Sequence, residues 1–113
     1  MAYELSRDQI ARYAQLTHDR NPLHVDEGFA ASSRFGGIIA HGFLLLGPVL
    51  EMLNRASGFP KSLECGFLAP GRPGDQLSCR LTGEDGPAGA GFEILNQASA
   101  IYVRGRLKWR PQA

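Results

Sequence analysis

Three histidines, His18, His24 and His41, lie within 24 residues of one another in a chain of 113 residues. The stretch Asp19-Arg20-Asn21-Pro22-Leu23-His24 places a carboxylate and an imidazole five residues apart across a turn that the proline forces. Neither group is tied to a regular helical face, so the turn can aim both at one point. A carboxylate and an imidazole at one point can share a water: one takes its proton and the other handles a second transfer. Partial burial beside the apolar 38–54 segment would raise a carboxylate's basicity, as proton abstraction requires. A plainer reading stays open, in which Asp19 and Asn21 cap a turn and His24 is a half-buried loop residue. Ala40-His41-Gly42 adds a second part. A helix that starts near His41 leaves its first backbone N–H groups unpaired at the positive end of its dipole. Gly42 lets a ligand approach that backbone, and an acyl or thioester carbonyl held there is stabilised as it gains negative charge. The plainer reading of Gly42 is packing. An acid–base pair beside an amide hole is what enolate chemistry next to a thioester requires.

The elements that must position these groups follow from periodicity and punctuation. Ser6 with Gln9 forms a capping box, and Ile10, Tyr13, Ala14 and Thr17 recur at helical spacing, which predicts a helix over 7–18. Asn21-Pro22 ends it, and Asp26 caps a short helix from Glu27 to about Ser33. Residues 38–54 are the most apolar stretch and predict a helix buried on all sides, kinked near 44–48 by Pro48 and capped by Gly58. Beyond residue 60 the pattern changes to strands at Lys61–Leu68, Gln76–Gly83, Gly91–Leu95 and Ala100–Trp109, separated by turn-forming residues. The last strand alternates: Ile101, Val103, Gly105, Leu107 and Trp109 share one face, and Tyr102, Arg104, Arg106, Lys108 and Arg110 the other. Helices first and strands later mean one α+β domain over residues 1–113, its antiparallel sheet covered on one side.

Composition excludes several classes. Twelve Lys and Arg against eleven Asp and Glu give a net charge of +1, so the chain lacks the basic footprint of a nucleic-acid binder. No apolar run reaches the ~18 residues of a membrane span, and the first residues show no signal peptide. The two cysteines, Cys65 and Cys79, read as small strand residues and not as a disulfide framework. The expected compartment is the reducing cytoplasm. The histidine and aspartate spacing matches no zinc signature, so no metal is expected. No Gly-x-Gly-x-x-Gly follows a strand, so no dinucleotide cofactor is expected either.

The segment Tyr13–Ala30, continuing through Phe35-Gly36-Gly37-Ile38-Ile39-Ala40-His41-Gly42-Phe43-Leu44, resembles the MaoC-like, R-specific enoyl-CoA hydratase family. Its pattern is D-x-N-P-x-H, a few polar and small residues, then A-H-G opening a long central helix. The stretch Phe67–Asp75 is similar to the family's strand–proline–turn–Gly-Asp segment, and Asn96-Gln97 sits at its last hairpin. The resemblance implies a hot-dog fold, a long central helix wrapped by an antiparallel sheet. It implies a homodimer joined sheet edge to sheet edge, with the site near the subunit interface. By this resemblance Asp19 and His24 hold and activate the water added to a trans-2-enoyl thioester. Asn21 helps set their geometry, Gly42 supplies the backbone N–H for the thioester carbonyl, and His41 supports the site. The acyl handle is coenzyme A or acyl carrier protein, as substrate, with no resident cofactor.

The chain departs from the family pattern in two places. Many members carry a serine six residues after the A-H-G histidine, where this chain has Gly47 followed by Pro48. Only Ala2–Leu5 remains for the usual N-terminal strand, which predicts a shortened first strand and an exposed edge. Two rival functions use the same frame: a thioesterase that directs the water at the carbonyl carbon, and a non-catalytic subunit that binds acyl thioesters. The basic face Arg104, Arg106, Lys108 and Arg110 reads either as a phosphate contact or as a solvated strand face, and Arg34, Lys61 and Arg72 are equal candidates for the phosphates.

Overall fold

A capping box starts the first helix of the computed structural model, which describes residues 3–55, 58–86 and 89–111. Ser6 Oγ accepts from the Gln9 N–H at 3.1 Å and Gln9 Oε1 accepts from the Ser6 N–H at 3.2 Å, so α1 (Arg7–Thr17) begins where the sequence predicts. It ends at His18, whose φ of 60° is left-handed, and this turns the chain away so that Asp19 leaves the helix axis. The next segment is more ordered than a turn. Asn21 Oδ1 accepts from the Leu23 N–H at 3.0 Å, and Pro22 sits at the first helical position, where its missing N–H is no loss. The result is a one-turn helix, α2 (Pro22–Val25). Asp26 then caps α3 (Glu27–Ala31), accepting from the Phe29 N–H at 3.0 Å.

The apolar run departs from its reading as one helix. Residues 38–41 are not helical, because the Ile39 and Ala40 N–H groups bond to the Leu23 and Gly71 carbonyls, far off in sequence. A 3-10 stretch, Gly42–Leu46, leads into α4 (Gly47–Arg55). Pro48 therefore falls in the first turn of α4, where its missing N–H is tolerated. In place of the expected kink the segment changes helix type between Leu46 and Gly47. Leu45, Leu46, Val49 and Leu53 are buried, while Phe43 and Leu50 are exposed, so the helix is amphipathic and not buried on all sides. Gly58, expected as its cap, opens a strand instead.

Four long strands form the sheet: β2 (Gly58–Phe67), β3 (Gln76–Gly86), β4 (Gly89–Leu95) and β5 (Ile101–Pro111). β1 (Tyr3–Glu4) is a two-residue stub paired with Leu77 and Gln76. The order is β1-β3-β4-β5-β2, antiparallel throughout, so β1 and β2 form the edges. The helical segment packs on this sheet. Leu45, Val49 and Leu53 meet Leu5, Leu77, Phe92, Ile94, Val103 and Leu107 in one core. Each such side chain contributes about 1.5–3 kcal/mol by leaving water. On β5, Val103 and Leu107 are buried and Arg104, Arg106 and Lys108 exposed, as the alternation requires. The side chains expected at 109 and 110 and the turn at Pro87 lie outside the described residues. Tyr102 breaks the pattern. It is buried because its hydroxyl donates to Asp75 Oδ2 at 2.7 Å and accepts from Asn96 Nδ2 at 3.1 Å, tying the last hairpin to the turn before β3.

The Gly47 departure has a packing cause. A Cβ at this position would lie 2.5 Å from the Tyr3 ring and 2.9 Å from its hydroxyl oxygen, so the Tyr3 side chain of β1 takes the room that a side chain at 47 would need. Both cysteines are free, and burial pushes the Cys79 thiol up to about 11 and raises that of Cys65.

On the outer face, Glu93 lies directly between Arg80 and Arg104 in the strand register, and its carboxylate binds both. Arg80, then Arg104, hold it below its ordinary pKa. A lowered pKa in the folded chain favours folding above the unfolded carboxylate value of about 4.3, and the gain is lost as pH falls through the folded value. Thermal denaturation of Glu93→Gln should therefore show a shallower fall in Tm between about pH 5 and pH 3 than the parent.

Candidate active site

Four backbone features deliver the side chains singled out by sequence. The left-handed residue after α1 releases Asp19, the Asn21 cap and Pro22 start α2, α2 carries His24, and the extended 38–41 segment carries His41 up to the first helical N–H. Asp19, His24 and His41 meet, each offering one donor atom within 4.8 Å of the others. Asp19 is exposed, His24 half-buried and His41 buried. His18 is exposed and stands outside this group.

The hydrogen bonds fix the ring tautomers. His24 Nδ1 is 2.8 Å from the Ile39 carbonyl. A carbonyl only accepts, so Nδ1 carries the hydrogen and Nε2 of the neutral ring keeps its lone pair. His41 Nε2 donates in the same way to the Asp19 carbonyl at 3.0 Å, leaving Nδ1 as acceptor. That Nδ1 is buried and has no hydrogen-bond partner. The two imidazoles stack at 3.8 Å with planes 28° apart, and the Tyr13 ring lies 4.7 Å from His41 at 57°. One nitrogen of each ring is tied to a carbonyl, which leaves His24 Nε2, His41 Nδ1 and the Asp19 carboxylate as the free ligand atoms of the group.

Asn21 is exposed and spends its side-chain oxygen on the α2 cap, so its bearing on His24 runs through the backbone. Gly42 is exposed at the first helical position, and no hydrogen bond among the described residues uses its N–H. It borders an open apolar pocket of about 240 Å³, walled by Phe35, Ile39, Leu45, Phe67 and Leu68 among others. The Phe67 ring lies against Gly42, 3.3 Å from where a Cβ would be, so the glycine keeps space between ring and backbone. The pocket thus joins an unpaired amide to the segment whose carbonyl orients His24.

Sequence reasoning missed three contributors. By helical spacing Tyr13 groups with Ile10, Ala14 and Thr17, the Ile39 carbonyl is a backbone group with no sequence signal, and Phe67 stands out only as a strand residue at the start of the strand–proline–turn segment. Of the cations considered for phosphate contact, Arg72 donates to the Phe35 carbonyl and Arg104 is held by Glu93. The Arg34 guanidinium lies over the Phe35 ring at 4.8 Å. No helix among the described residues is long and apolar enough to cross a membrane.

Comparison with known proteins bears on the whole chain. The family described as MaoC like domain matches residues 1–100. The (R)-specific enoyl-CoA hydratase of Aeromonas caviae is 32% identical over 106 residues, covering 86% of this chain and 79% of that protein. The 3-hydroxybutyryl-CoA dehydratase of Methylorubrum extorquens is 37% identical over 82 residues, covering 69% of this chain. The chain spans about half the length of that second relative, 52%. Among solved structures, the (R)-hydratase from A. caviae superposes with a TM-score of 0.86 at 24% identity, over 99% of this chain and 92% of that one. A protein of Archaeoglobus fulgidus gives 0.85 at 22% identity, over 99% of this chain and 74% of that one. These likenesses show the hot-dog fold.

Proposed function

This chain belongs to the MaoC-like dehydratase family, and we propose that it adds water to a trans-2-enoyl thioester to give the R-3-hydroxyacyl thioester, or runs the reverse dehydration. The observation that carries this reading is the meeting of Asp19 and His24 beside an apolar pocket that ends at the unpaired Gly42 N–H.

The water sits between the two groups. It donates one hydrogen bond to the Asp19 carboxylate and one to His24 Nε2, the ring atom left with a lone pair. Its oxygen attacks C3 of the enoyl chain as Asp19 takes its proton. The electron pair of the double bond moves into the thioester, and the Gly42 N–H holds the enolate oxygen. Asp19 then returns the proton to C2. Water is added, and every residue ends as it began. His24 steers the attacking lone pair, and His41 keeps the Asp19 backbone in place through its carbonyl.

The test is purified protein with crotonyl-CoA, following loss of the enoyl absorbance and the chirality of the product. Formation of the R-3-hydroxy product supports the reading. Release of free thiol with the double bond intact would assign a thioesterase instead. Ligand-induced stabilisation without turnover would assign a binding subunit. The handle is coenzyme A or acyl carrier protein. Two free thiols and no disulfide suit the reducing cytoplasm.

The active unit in this reading is a homodimer. β2 pairs with β5 on one side only, which leaves an edge, and Phe67 and Leu68 are exposed at its end beside the pocket. Light scattering on the purified chain should give twice the monomer mass, and Leu68→Asp should shift the mass toward the monomer.

A further inference from the structure

We propose that Tyr13 is a positioning residue of this site, acting through His41 on both Asp19 and His24. The inference rests on the function proposed above, but one of its readouts is independent of turnover. His41 links the pair: it holds the Asp19 carbonyl at 3.0 Å and stacks on His24 at 3.8 Å. Its own ring is buried but has little polar restraint. Nδ1 is buried without a partner, so a single hydrogen bond from Nε2 is the only polar restraint among the described residues. One hydrogen bond fixes one edge of an imidazole and leaves the tilt of its plane free. Packing must supply the rest, and the aromatic part of that packing comes from His24 and Tyr13.

Tyr13 is placed for this task and not for core packing. Ile10 and Ala14 are the buried residues of α1, whereas Tyr13 is half-buried and stands outside the apolar core. Its ring lies 4.7 Å from an imidazole. A ring that tilts when Tyr13 is lost moves the Asp19 backbone and the surface against which His24 stacks. Both groups that hold the water then lose alignment together, an effect on the chemical step and not on thioester binding.

Tyr13→Leu removes the ring, and Tyr13→Phe keeps it. Ile10→Val, in the buried stripe of the same helix, controls for loss of stability. With an enoyl-CoA substrate, Tyr13→Leu should lower kcat about 10- to 100-fold and leave KM within about a factor of two. Tyr13→Phe should match the parent, and Ile10→Val should lower Tm without moving kcat. In long-range proton–nitrogen NMR spectra of the imidazoles, the parent and Tyr13→Phe should show His41 as a single Nε2–H tautomer. Tyr13→Leu should show a mixture.

An unchanged kcat in Tyr13→Leu overturns the proposal, as does an equal loss in Tyr13→Phe, which would put the effect on the hydroxyl. If the parent hydrates no enoyl thioester, the proposed function fails on its own and the nitrogen spectra still decide. An unperturbed His41 in Tyr13→Leu then overturns the positioning role, and tautomer mixing supports it.

Discussion

Replacing Asp19 by asparagine should lower kcat for enoyl-thioester hydration by about 10²- to 10⁴-fold, the range in which general acid–base groups contribute, while Tm stays close to the parent's. The two halves of that expectation have different causes. Asp19 is exposed, and no hydrogen bond or ion pair among the described residues uses its carboxylate. What the fold takes from this residue is its backbone, a carbonyl that His41 holds and an N–H that donates to Thr17 Oγ1, and asparagine keeps both. An exposed side chain of this kind usually changes stability by no more than about 0.5 kcal/mol. The amide of asparagine can still accept a hydrogen bond from a water, so binding geometry survives. It cannot take the proton and carry it to C2, so the chemical step does not. Measured kcat, KM and Tm separate the outcomes. A variant with the parent's kcat removes Asp19 from the mechanism. A large drop in Tm would instead mean that the carboxylate supports the turn.

What sequence could and could not say about this site divides by distance along the chain. The Ser6–Gln9 capping box and the Asp26 cap are local, so both helix starts fall where they were expected. The D-x-N-P-x-H stretch is local too: proline and asparagine act within three residues, and the turn they make does bring Asp19 toward His24. The 38–54 run reads as one helix from sequence because hydrophobicity alone does not say where a helix begins. Backbone bonds from Ile39 to Leu23 and from Ala40 to Gly71 set that boundary, and no pattern within the run encodes them. The same long-range contacts place the Ile39 carbonyl on His24. Gly47 shows the limit in another form. From sequence it was a missing hydroxyl, and the structure fills the place with Tyr3, 44 positions earlier in the chain. Tyr13 carried the correct helical period and so looked like Ile10 and Ala14. Only the packing of α1 against residue 41 distinguishes it.

The second large effect belongs to His24, and the choice of substitution decides what is learned. Alanine would strip both ring nitrogens, orphan the Ile39 carbonyl and expose the face of His41, so lost activity would not point to one atom. Asparagine and glutamine divide the ring. The asparagine amide nitrogen falls near the place of Nδ1 and can keep donating to the Ile39 carbonyl, but nothing then stands where Nε2 was. Glutamine reaches the Nε2 place and leaves the carbonyl without its donor. If Nε2 holds the water, His24→Asn should fold with nearly the parent's Tm and lose about 10²- to 10³-fold in kcat. His24→Gln should lose less kcat and more stability, the unpaired half-buried carbonyl costing about 1–3 kcal/mol. The opposite ranking, with asparagine active and glutamine dead, would mean that the working nitrogen is Nδ1. The bond to Ile39 would then have to break during turnover, and the water would lie on the other side of the ring. Kinetics and thermal melts on this one pair of variants therefore fix which edge of His24 faces the chemistry, and with it the side from which water reaches the double bond.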